Sequence, residues 1–181
     1  MKSPQRVTIA LDRETSELLD KLKEESKLSQ SGVVRRAIKF YSENKEVIDQ
    51  HGSERIKTYC EMLAHGEHII LDVDHFLLFL KLIESSPEKD KFWEDHDRVA
   101  KSHSEQLPGK VSNVEDFLRR LEACNFFKLS VDSKDEFTLI LYSDTTKEFI
   151  KTLLEGVFEG MGFNTDINAG FGKLRVKVRS K

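Results

Sequence analysis

In Gln5-Arg6-Val7-Thr8-Ile9-Ala10-Leu11, apolar and polar side chains alternate, and Asp12 follows at once. The period of a β-strand is two residues, so Val7, Ile9 and Leu11 share one face while Arg6, Thr8 and Ala10 share the other. Asp12 is placed to cap a helix, with Glu14 and Glu17 where the helix dipole favours negative charge. Leu18, Leu19 and Leu22 then cluster at helical spacing, and the pattern stops near residues 26–28. A second cap follows in Ser29-Gln30-Ser31-Gly32. The next helix repeats apolar residues at Val33, Val34, Ala37, Ile38 and Tyr41 and fades at Ser42-Glu43-Asn44-Lys45.

One strand and two helices bury too little surface to stand alone. A lone strand also leaves its backbone donors and acceptors unpaired. Pairing with the same strand of a second chain answers both demands and gives a two-stranded antiparallel ribbon. Its inner face of Val7, Ile9 and Leu11 would rest on the helices, and its outer face would show Arg6, Thr8 and Ala10 twice. A ribbon of that kind fits the major groove, where arginine bonds guanine O6/N7 and threonine reaches base edges or a thymine methyl.

Arg6-Val7-Thr8-Ile9-Ala10-Leu11 with Asp12, then Ser29-Gln30-Ser31-Gly32-Val33-Val34-Arg35-Arg36-Ala37-Ile38, resembles the ribbon-helix-helix family of DNA-binding proteins, over about residues 5–45. The resemblance implies base contacts from Arg6, Thr8 and Ala10. It also implies a phosphate held at the start of the second helix by Ser29, Gln30 and Ser31, where a helix N-terminus is an anion site in any case. Ala10 stands where a polar reader is common, and Gly32 lies in the first helical turn, where a better helix former is usual.

The chain has 181 residues, 38% hydrophobic and 34% charged, with three prolines and a formal net charge of −3. That is a globular, helix-rich composition. Residues 1–50 carry ten Lys+Arg against nine Asp+Glu, and the rest 19 against 23, so any DNA-facing charge must be local. Cys60 and Cys124 form no paired motif, and Met1-Lys2-Ser3-Pro4 lacks the apolar stretch of a secretory signal; a cytoplasmic location is the expectation. Phe76-Leu77-Leu78-Phe79-Leu80 is too short to span a bilayer, so no membrane partner is expected.

Past residue 45 a further helical pattern carries Ile48, Ile56, Tyr59, Cys60 and Leu63, with His65-Gly66 as its end. His68-Ile69-Ile70-Leu71 reads as a short strand, Asp72 or Asp74 as the cap of a very apolar helix, and Ser86-Pro87 as the start of another. That last helix bears His96 and His103 on its apolar face beside Trp93, a position suited either to a core histidine or to the edge of a ligand pocket. Leu107-Pro108-Gly109 is a linker candidate. From Ser112, read as a cap, the order becomes α-β-β-α-β-β, with strands at Phe127-Leu129-Val131, Phe137-Leu139-Leu141, residues 163–168 and residues 173–178. Asp144 or Thr145 is the expected cap of its second helix, and Gly160 and Gly162 bracket that helix's end. The last strand sets Lys173, Arg175, Lys177 and Arg179 against Leu174, Val176 and Val178, which reads as the solvated face of an edge strand or as a basic stripe.

Cys60, His65, His68, Asp72, Asp74 and His75 fall within one stretch. Nickel-responsive repressors join a metal-sensing domain to such an N-terminal module and use His and Cys ligands. Their His-x-His followed by Cys is missing here. No phosphate loop, Gly-x-Ser-x-Gly, Cys-x-x-Cys or His-Glu-x-x-His is present, so no catalytic residue, metal ligand or cofactor is assigned.

The expectation is an α+β chain: a ribbon-helix-helix domain at 1–47, a helical connecting region at 48–110, and an α+β sensing or oligomerisation domain with an antiparallel sheet at 111–181. Its expected role is that of a cytoplasmic, homodimeric or higher-order regulator of prokaryotic type, most simply a repressor, bound to double-stranded DNA and open to a small-molecule or metal effector. A metal-responsive regulator and an antitoxin-like interaction module are the alternatives.

Overall fold

The structure, a computed structural model, describes residues 6–64 and 68–179. Its chain divides into two compact units, Met1–Ile56 and Lys57–Lys181. The first holds a segment without regular secondary structure at residues 6–12, helix α1 (Arg13–Ser26) and most of helix α2 (Gln30–Ala64). The fading apolar pattern at residues 42–45 does not end α2. Those polar residues are adequate helix formers, and the Lys39–Glu43 and Lys45–Asp49 ion pairs bridge successive turns there. The interruption comes at Gly52, whose φ of 72° and ψ of 158° are nearly closed to residues with a Cβ. The helix end expected at His65-Gly66 lies outside the described residues.

The second unit contains α3 (Val73–Glu84), α4 (Lys89–Gln106), α5 (Val114–Ala123), β1 (Phe127–Ser133), β2 (Glu136–Leu141), α6 (Lys147–Gly160), β3 (Thr165–Gly170) and β4 (Lys173–Val178). The chain is thus of mixed helix and sheet, and the sheet is antiparallel throughout, in the order β1-β2-β4-β3. Register puts Leu129 opposite Leu139, Leu139 opposite Leu174 and Val176 opposite Ile167. One face is therefore apolar, and it closes over Phe117, Leu118, Ile150, Leu154, Val157 and Phe158 from α5 and α6. Ala100, Leu107 and Val111 belong to the same cluster. Leu107-Pro108-Gly109 is consequently no loose linker: Leu107 is buried, and its carbonyl accepts from the amides of Lys110 and Val111.

Helices α4 and α6 approach closely because the facing residues are small. A Cβ built on Gly156 would lie 2.7 Å from Ala100 Cβ, and one on Gly160 would lie 2.2 Å from Ser104 Oγ. Lys101 clasps the pair, bonding Asp97 on its own helix at 3.1 Å and Glu159 on α6 at 3.2 Å.

Several local expectations are corrected. Residues 68–71 form no strand, since no neighbouring backbone offers a ladder, and Ile69 and Ile70 stand exposed. Helix α4 starts at Lys89 rather than at Pro87; Ser86 Oγ instead accepts from the Glu88 amide in the preceding turn. The cap of α5 is Asn113, not Ser112. Its Oδ1 accepts from the Asp116 amide, while the Asp116 carboxylate accepts in return from the Ser112 amide. Ser143 caps a 3-10 turn, Asp144–Thr146, that leads into α6. Strand β4 lies inside the sheet, paired on both sides, and is not an edge. Its outward side chains include Lys177, bonded to Glu136 at 2.6 Å, and Arg179 beyond its end pairs with Asp166.

His96 is a core histidine. Its ring stacks on Phe149 with centroids 4.0 Å apart, and its Nε2–H donates to the Phe149 carbonyl at 2.9 Å. Burial holds its pKa below the ordinary 6.5; the bond to Phe149 and nearby Asp97 oppose that shift, and His103 adds to it. A lowered folded-state value means that the unfolded chain binds more protons below 6.5, so stability is full above that pH and declines beneath it. Between pH 7.5 and 5 the melting temperature should fall by a few degrees, and His96→Gln should flatten that slope in thermal melts. The carboxylates whose pKa is lowered, Asp12, Asp72, Asp132 and Asp144, start from 3.8 and act only at lower pH.

Candidate nucleic-acid interface

Residues 6–11 carry no regular secondary structure and have no ladder partner among the described residues, so the strand expected there is not formed in the single chain; Asp12 is extended, with φ −71° and ψ 173°. Val7, Ile9 and Leu11 are 76%, 56% and 39% exposed. Arg6, Thr8 and Ala10 are exposed as well. Asp12 turns the chain into α1: its Oδ1 accepts from the Thr15 amide at 2.7 Å. Hydrogen bonds from the Thr15 side chain and then its backbone keep that carboxyl below the usual range.

Lys27, in the left-handed conformation with φ 57°, closes α1 and turns the chain toward Ser29. Ser29 then caps α2, its Oγ accepting from the Gly32 amide at 3.2 Å, while its carbonyl accepts from Gly32 and Val33. The amides of Gln30 and Ser31 are the ones that a helix start leaves without an intrahelical acceptor. No acidic side chain lies in the first turn of α2, whereas α1 carries Glu14 there. The positive end of α2 is thus uncompensated, and the exposed hydroxyls of Ser29 and Ser31 flank it, 3.3 Å apart. Glycine at position 32 has a steric reason that composition alone hides: a Cβ there would sit 3.3 Å from Ser29 Oγ and 3.4 Å from Leu28 Cβ.

Residues 5–45 match the family model of the ribbon-helix-helix protein, copG family. That family is one of DNA-binding transcriptional regulators that dimerise. No curated protein and no solved structure matches the chain. The ribbon-helix-helix match ends within α2, seven residues before the break at Gly52.

Of the sequence-stretch that could hold a metal, Cys60 is exposed, His68 Nδ1 bonds the Met62 carbonyl at 3.2 Å, and Asp72 caps α3 through the amides of Asp74 and His75. His65 lies outside the described residues. Among the described residues, no three His, Cys, Asp or Glu side chains converge to hold an ion. Nor, among them, is any helix long and apolar enough to cross a membrane.

Proposed function

We propose that this chain is a cytoplasmic, sequence-specific transcriptional regulator, a repressor in the simplest case, that reads the major groove as a homodimer and catalyses no reaction. Residues 1–47 are its DNA-binding domain, 48–110 its connecting region and 111–181 a domain for sensing or further oligomerisation. Arg6, Thr8 and Ala10 contact bases from the paired strand, and Ser29, Gln30 and Ser31 contact a phosphate. The observation that carries this reading is the state of residues 6–12 in a single chain: alternating in sequence, exposed, and without a ladder partner among the described residues. Val33 is the one apolar residue of 6–56 that is buried, while Ile38, Phe40 and Tyr41 stand more than half exposed, which favours completion of this core by a second copy.

A fluorescence-anisotropy titration on DNA from upstream of the protein's own gene tests the reading. Binding should resist scrambled competitor DNA and weaken steeply as salt rises. Equal affinity for both DNAs would reduce the contacts to phosphate alone and favour an antitoxin-like interaction protein.

A further inference from the structure

Helix α3 turns one side to the core and leaves another bare. Phe76, Leu77, Leu80 and Ile83 face inward. Exposed Leu71 lies just ahead of the Asp72 cap, and along α3 His75, Leu78 and Leu82 recur at intervals of three and four residues and are all exposed, Leu78 by 60% and Leu82 by 66%. That interval is the repeat of a helix-pairing seam. Phe79 borders it on one side, and Asp74 and Lys81 border it on the other, one heptad apart.

We propose that α3 is a second self-association surface, on which the α3 of another copy packs antiparallel about a two-fold axis. In that register Leu78 meets the partner's His75, and Leu82 reaches the N-terminal end of the partner's α3. Each Asp74 then faces the partner's Lys81, so the same charge pair forms twice. A parallel arrangement would lose this complementarity. The area is also sufficient. Leu71, Leu78, Phe79 and Leu82, with Ile69 and Ile70 exposed by 83% and 87% just ahead of them, offer roughly 700 Å² of apolar surface, close to the roughly 800 Å² per partner of a standard interface. A symmetric patch that complements itself joins one copy to one other at this surface. This surface belongs to the second unit, whereas the ribbon residues belong to the first.

Sedimentation equilibrium of the full-length chain tests the surface against the ribbon. Ile9→Glu removes the ribbon contact, so any association left in that variant belongs elsewhere. The expected result is that Ile9→Glu still self-associates, and that adding Leu78→Glu and Leu82→Glu weakens this association about a hundred-fold. On the same background, Asp74→Lys alone should weaken it about ten-fold and Asp74→Lys with Lys81→Asp should restore it. The substituted side chains are exposed, and unchanged circular dichroism and melting temperature confirm that each variant folds. An Ile9→Glu protein that is monomeric, or one whose association survives Leu78→Glu and Leu82→Glu, overturns the proposal. The first outcome leaves the ribbon dimer standing. If wild type is itself monomeric, both interfaces fall together.

Discussion

A chain carrying Arg6→Ala and Thr8→Ala should bind its own DNA site no more tightly than scrambled DNA. A bidentate arginine–guanine contact discriminates by roughly 1–3 kcal/mol, and a two-fold ribbon makes it twice, so the loss is roughly 2–6 kcal/mol, or at least about thirty-fold. Nonspecific affinity should survive, because it rests on phosphate contacts made elsewhere. Ser29→Ala offers the contrast. Removing a cap at the proposed phosphate site should weaken binding to matched and scrambled DNA alike, with a loss of about 1 kcal/mol in helix stability. Anisotropy titrations of both variants on both DNAs check the pattern. If the double variant keeps its preference for the matched DNA, sequence is read by some other surface.

The second large effect concerns the contact of α4 with α6. Gly156→Val should destabilise the chain by about 3 kcal/mol or more. The new Cβ would meet Ala100 Cβ at 2.7 Å and backbone atoms of Asp97 and Lys101 at 3.4 Å, and Ala100 is fully buried with nowhere to retreat. Gain in helix propensity over glycine offsets at most about 1 kcal/mol. The melting temperature should drop by about ten degrees. Gly160→Ala should cost less because it adds one carbon rather than three, although its Cβ would still meet Ser104 Cβ at 2.6 Å. Thermal denaturation gives the ranking directly. A Gly156→Val protein that melts like wild type would show that these helices tolerate wider spacing.

Much of this architecture is legible in the chain because local signals and burial agree. Asp12 and Ser29 cap the helices they precede in sequence. The alternation at Phe137-Thr138-Leu139-Ile140-Leu141 matches one buried face, with Phe137, Leu139 and Leu141 inside. What escaped is mostly long-range. Whether Ile69-Ile70 joins a sheet depends on a neighbour that periodicity cannot supply. Whether β4 is an edge depends on β2, far away in the chain. Gly160 reads as a helix terminator beside Gly162, yet with Gly156 it forms a pair four residues apart on one helical face, a spacing that signals close packing. For the candidate interface, alternation predicts which side chains of residues 6–10 would share a face, while the single chain forms no strand there. Recognition by those side chains requires a second chain and a duplex, neither of which is encoded in the local pattern.

The order of the sheet also governs how the second unit is assembled in time. Two of its seams, β1 with β2 and β3 with β4, are hairpins closed by a few residues. The central seam joins β2 to β4 and sets Phe137 against Val176, with all of α6 between them. Loop-closure entropy makes such a distant pairing slow to find, while hairpins and helices form within microseconds. Two prefabricated hairpins therefore wait on one encounter, and α6 holds their inner strands near each other as they search.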